Sequence, residues 1–116
     1  MSRPMKHLSC DMWEQITEKM RLSLEAVKAM ERYGKQAAEA EKDYQVIHSQ
    51  KTLLLKESGL PATLIPLIVK GDPEVAEARQ KRDIADVMYK TAQELVNVRK
   101  IETKILNEQM SREWNA

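Results

Sequence analysis

The chain has no phenylalanine, a single cysteine, three glycines and four prolines among its 116 residues. Each scarcity excludes something. Aromatics make up only 4% of the sequence, so a thick spherical core built around large rings is not expected. The few glycines and prolines leave too few turn residues for the many short strands of a sandwich or barrel. Cys10 alone cannot form an internal disulfide, and no run of about 18 apolar residues and no apolar signal core near the start is present, so a cytoplasmic protein without a membrane partner is expected. Charge of one sign is also lacking. Lys plus Arg is 19 and Asp plus Glu is 18, for a net +1, with 10 bases and 9 acids through Glu57 and 9 of each beyond it. Such a balance sets up no global field for a nucleic acid or an anionic membrane, although a local patch can still form on one folded face. What is present is Leu, Ile, Val and Met together with 32% charged residues, above the usual ~25%. That mixture suits long, solvated helix faces, and the chain reads as elongated and all-α.

The apolar residues of the first half recur at three and four: Trp13, Ile16, Met20, Leu24, Val27, Met30, Tyr33, Ala37, Ala40, Tyr44, Ile47 and Leu54. This is the period of an amphipathic helix. Asp11 stands three before Glu14, the spacing of a side-chain cap and its reciprocal carboxylate, and Ser9 is a rival cap. A helix over 10–57 follows, roughly 70 Å long at 1.5 Å per residue, with Gly59 in the left-handed position past its end. Gly34, beside Ala37, Ala38 and Ala40, makes a small-residue stretch that suits close approach of a neighbouring helix, with a bend as the alternative. Residues 60–70 are nearly uncharged and read as a short apolar helix, or else an extended linker. Pro61 suits the first turn, Pro66 removes at most one hydrogen bond, and Gly71 can close it. Leu64, Ile65, Leu67, Ile68 and Val69 need cover, so the segment either plugs the end of a bundle or binds a partner.

Asp72-Pro73-Glu74 is a strong helix start: a capping Asp, a proline at the first helical position and an acid at the positive end of the dipole. The helical period then runs from Val75 through Ala78, Ile84, Met88, Leu95, Val98, Ile101 and Ile105 to Trp114, predicting a helix over 73–114. Its apolar band is wider than the two-in-seven seam of a simple coil, so this helix is expected to touch two neighbours. Two long helices joined by a compact connection form an antiparallel hairpin. Pairing Glu57 with Pro73 brings Trp13 close to Trp114 at the open end, either as clamps on the termini or as an aromatic contact surface. A hairpin of this kind covers only one stripe of each helix, so the single domain spanning 1–116 is expected to complete a bundle by self-association, as a dimer or higher oligomer.

Catalytic chemistry is sparse. His7 and Cys10 supply two metal ligands without the rest of a zinc set, and His48 beside Ile47 reads as a boundary histidine. Glu39, Glu41 and Asp43, and Asp83 with Asp86, have bases nearby. Helix-surface pairs explain them better than general acid and base roles, as in Glu31 with Lys35, Glu77 with Lys81, Asp86 with Lys90 and Glu108 with Arg112. No glycine-flanked serine and no phosphate-cradling loop occurs. The expectation is a protein that is not an enzyme, with no catalytic residues, no metal and no cofactor. The expected oligomer or partner interface comprises Trp13, Met20, Val27, Met30, Tyr33, Leu64, Ile65, Ile68, Met88, Leu95, Ile105 and Trp114. The competing reading is a nucleic-acid or nucleotide binder. It would use Lys28, Arg32, Lys35, Arg79, Lys81 and Arg82, with Tyr33 stacking on a base, although acids interrupt both rows.

Gly71-Asp72-Pro73-Glu74, the Arg82-Asp83 stretch with Tyr89, and the terminal Arg112-Glu113-Trp114 resemble a group of small helical proteins of bacteriophages and prophages, over about residues 60–114. The resemblance implies a helical fold and a genetic setting beside replication and recombination genes. It brings no catalytic residues. It implies a non-enzymatic interaction module acting on a host or phage replication, recombination or defence protein. The same setting holds inhibitors of bacterial immunity that block effectors or sequester cyclic nucleotides.

Overall fold

A computed structural model describes residues 2–115 and, for side chains, residues 10–115. The order is α1 (Ser2–Glu57), α2 (Ile65–Gly71) and α3 (Pro73–Asn115), with no strand among the described residues. The fold is all-α, with α1 and α3 packed as the two arms of a hairpin.

The first helix begins earlier than the expected start near residue 10. It runs 56 residues from Ser2, which places Asp11 and Glu14 in its interior rather than at a cap. At the other end Gly59 takes φ 84°, the left-handed geometry expected past a helix C-terminus. The Gly59 N–H donates to the Lys56 carbonyl at 3.1 Å, and the Ser58 hydroxyl caps the Leu55 carbonyl at 2.7 Å.

The second helix begins later than the expected residue 60. A helix from Pro61 would drive the Pro66 ring into the carbonyl of Ala62. Pro61 instead opens a turn whose carbonyl accepts from the Leu64 N–H at 3.0 Å, and α2 starts at Ile65 with Pro66 in its first turn. The expected cap of α3 is made as read: Asp72 Oδ1 accepts from the N–H groups of Glu74 at 2.9 Å and Val75 at 3.2 Å.

The chain divides into two compact units, Met1–Glu31 with Thr91–Ala116, and Arg32–Lys90. Within the Arg32–Lys90 unit, Ile65, Val69 and Val75 form a buried cluster at 4%, 0% and 0% exposure, covered by Tyr44, Ile47, Leu55 and Leu60. The apolar segment therefore plugs the turn end, and α2 is the third layer that a bare hairpin lacks. Gly34 meets the Tyr89 ring so closely that an added Cβ would lie 3.1 Å from Cε1, the close approach that a small-residue stretch permits. Lys51 lies 3.6 Å from Asp72 and 3.5 Å from Glu74, so Lys51, not Glu57, stands opposite the start of α3. The reason is α2: Ile65 and Val69 stand with Val75 in the cluster that the last turns of α1 cover.

Within the other unit, Ala26, Ala92 and Leu106 are the buried apolar residues, and a Lys19–Glu102 ion pair joins the two arms. At the open end of this unit Asp11, Met12 and Gln15 of α1 line one hollow with Met110, Arg112 and Glu113 of α3.

Candidate interaction surface

Because α1 and α3 each bury one narrow stripe, large apolar side chains remain outside. In the unit of 1–31 and 91–116, Trp13 at 70% and Trp114 at 84% are nearly free, and Met20, Leu24 and Val27 are exposed along α1. On α3 of the same unit Leu95, Val98, Ile101 and Ile105 are exposed. A groove of about 680 Å³ runs beside Ile16, Met20, Leu24, Val27, Thr103 and Leu106. In the Arg32–Lys90 unit the outward residues are Val46, Leu53 and Leu54 of α1, Leu67 and Ile68 of α2, and Ile84, Val87 and Met88 of α3, together with Leu64 in the turn ahead of α2. A shallow hollow of about 450 Å³ lies along α3 beside Arg79, Asp83, Ile84, Val87 and Met88.

Of the expected interface residues, Trp13, Met20, Val27, Leu64, Ile68, Met88, Leu95, Ile105 and Trp114 are exposed. Met30 and Tyr33 are half-buried. Ile65 is in the core, where it docks α2, and is not available to a partner. Sequence reasoning left Leu24, Ile84, Val87, Val98 and Ile101 out of the interface. For the four on α3 the signal was the width of its apolar band, which contains an inner face of Ala78, Ala85, Tyr89, Ala92 and Leu106 and a separate outer face; Leu24 was in the helical period of α1 but was not assigned to the interface.

Several of the expected cations are engaged within the chain. Arg82 sits 4.2 Å from the Tyr44 ring centroid, 3.0 Å from Asp83 and 3.7 Å from Glu41. Hydrogen bonding to Asp83 raises its pKa. Lys81 lies 3.4 Å from Glu77, and Arg79 donates to the Lys70 carbonyl at 2.9 Å. The Arg32 guanidinium lies 4.9 Å from the Tyr33 ring centroid, on a face that a base would need. Lys28 and Lys35 are exposed.

The carboxylates follow the same pattern. Asp86 pairs with Lys90 at 2.8 Å, Glu39 with Lys42 at 3.0 Å, and Glu41 accepts from Gln45 at 2.9 Å. Arg112 Nε approaches the Glu108 carbonyl at 3.4 Å rather than its carboxylate. The Lys19 ammonium, by hydrogen bonding, holds Glu102 below its ordinary pKa, and Arg21 does the same for Glu18. His48 lies 5.7 Å from the Tyr44 ring, centroid to centroid, while the His7 side chain lies outside the described residues. Among the described residues no group of three or more His, Cys, Asp or Glu side chains is placed to hold a metal, and no helix is long and apolar enough to cross a membrane. Comparisons with protein families, with curated proteins and with solved structures return no match for this chain.

Proposed function

We propose that the chain is a non-enzymatic helical interaction protein that self-associates, as a dimer or higher oligomer, and presents its remaining apolar surface to a protein partner. The accessible surface carries this reading. It amounts to 9059 Å², against about 6,500 Å² for a typical folded monomer of this mass. The excess of roughly 2,500 Å² is the scale that one subunit contributes to an obligate interface. Large apolar side chains stand exposed on the helix faces of both units, among them Met20, Leu24, Ile84, Val87, Val98 and Ile101, and contiguous apolar patches of several hundred Å² are uncommon on monomers. Ion pairing within the chain takes up carboxylates and cations that a catalytic or phosphate-binding site would need free. In the cytoplasmic phage setting that the second half resembles, the partner is a host or phage replication, recombination or defence protein.

Sedimentation equilibrium at low micromolar concentration tests the reading. A mass of twice the chain or more is expected. A folded monomer would overturn it, and nucleotide or nucleic acid co-purifying with such a monomer would put the binding reading through Lys28, Arg32 and Lys35 in its place.

A further inference from the structure

The outer face of α3 is a narrow seam with its own period. Ile84, Val87, Thr91, Glu94, Val98 and Ile101 follow one another at steps of three and four, the two-in-seven spacing of a coiled-coil contact. All six are exposed on a helix that is continuous from Pro73 to Asn115. Their order is almost the same in both directions: Ile, Val, Thr, Glu, Val, Ile. An isologous contact about a twofold axis requires that kind of self-complementarity, in which residue i meets residue j and j meets i.

We propose that this seam binds the same seam of a second copy of the chain, antiparallel, about a twofold axis level with the Thr91–Glu94 pair. The proposal rests on the self-association inferred above and adds the face and the direction. In this arrangement Ile84 meets Ile101 of the second copy, Val87 meets Val98, and Thr91 stands opposite Glu94. Along one flank Met88 meets Leu95, and along the other Asp83 faces Lys104. Every layer is apolar or complementary.

The in-register parallel alternative is worse. It sets Glu94 directly against Glu94 in one layer, where two like carboxylates cannot both stay ionised without cost, whereas the antiparallel pair sets each Glu94 opposite Thr91 and leaves the two carboxylates a layer apart, about 4.5 Å along the axis. It also separates Asp83 from Lys104. The excess surface derived above exceeds the roughly 800 Å² per partner that a standard interface uses.

Cysteine cross-linking reads the direction. In a Cys10→Ser background, Val87→Cys and Val98→Cys chains are oxidised at low micromolar concentration, separately and after mixing. Both native side chains are exposed, at 61% and 46%, and far-UV circular dichroism checks that the helices persist. The mixture is expected to give at least tenfold more covalent dimer than either chain alone, since like cysteines in the antiparallel pair stand about 16 Å apart along the helix. Efficient dimerisation of Val87→Cys alone would overturn the antiparallel seam. A non-covalent dimer with no cross-link in any sample would overturn the seam while leaving self-association intact, and a folded monomer would overturn both. Charge reversal gives a second reading without cysteine. Asp83→Lys is expected to weaken dimerisation about threefold or more, and adding Lys104→Asp is expected to restore it. Unchanged affinity in the Asp83→Lys chain would remove the proposed flank contact.

Discussion

The two units of this chain are made of the same two helices and differ in one component. The Arg32–Lys90 unit contains α2, and with it Val69 and Val75, the only residues at 0% exposure among those described. Among the described residues the other unit has no third element. Its buried residues, Ala26, Ala92 and Leu106, include two alanines, and both tryptophans lie outside. A seven-residue helix thus separates a hairpin segment with a core from one without. The lesson is geometric: two helices share a line of contact, whereas three enclose a volume, and only an enclosed side chain gains the full ~1.5–3 kcal/mol of burial. In the proposed dimer the second copy supplies the third layer to the unit without α2.

Substitutions should separate the units in that order. Val69→Asp puts a carboxylate in the one closed core and should release α2, costing about 3 kcal/mol or more; thermal melting with exchange at Tyr44–Leu55 checks it, and a loss below 1 kcal/mol would break the contrast. Leu106→Ala in the open unit should cost about 2 kcal/mol, the low end for a buried leucine, because the site can collapse. Asp72→Ala removes the cap bonds to Glu74 and Val75 together with the Lys51 contact and should cost about 1 kcal/mol, read from the same melts. The smallest effect is pH-dependent. Glu102 has a lowered folded-state pKa, chiefly through its bond from Lys19. That bond therefore stabilises above the unfolded carboxylate value and is lost as pH falls through the folded one. Between pH 7 and pH 3 the wild type should lose slightly more stability than Glu102→Gln, and equal losses would mean that this half-buried pair contributes nothing.

Much of this fold is legible in the sequence. The Asp72-Pro73-Glu74 start, the Gly59 stop and the helical period of both arms are local signals, each set by capping or backbone geometry. Two features were not legible because they are settled between elements. The register depends on where α2 docks, which moves the partner of the α3 start from Glu57 to Lys51. The start of α1 at Ser2 lies ahead of the Ser9 and Asp11 cap signals. For the interaction surface, the apolar residues were readable but their division was not. Ile65 and Ile68 stand in one short apolar run, yet one is core and the other surface, and the α3 band divides into two faces only once Ala92 and Leu106 are fixed against α1.

Hydrogen exchange at two protein concentrations tests most directly whether a second copy completes the open unit. Amides of α3 between Ala92 and Leu106 should gain protection as concentration rises through the dimerisation range, while those around Val69 and Val75 stay unchanged. Protection in both regions that is independent of concentration, in a chain that remains folded, would contradict the account.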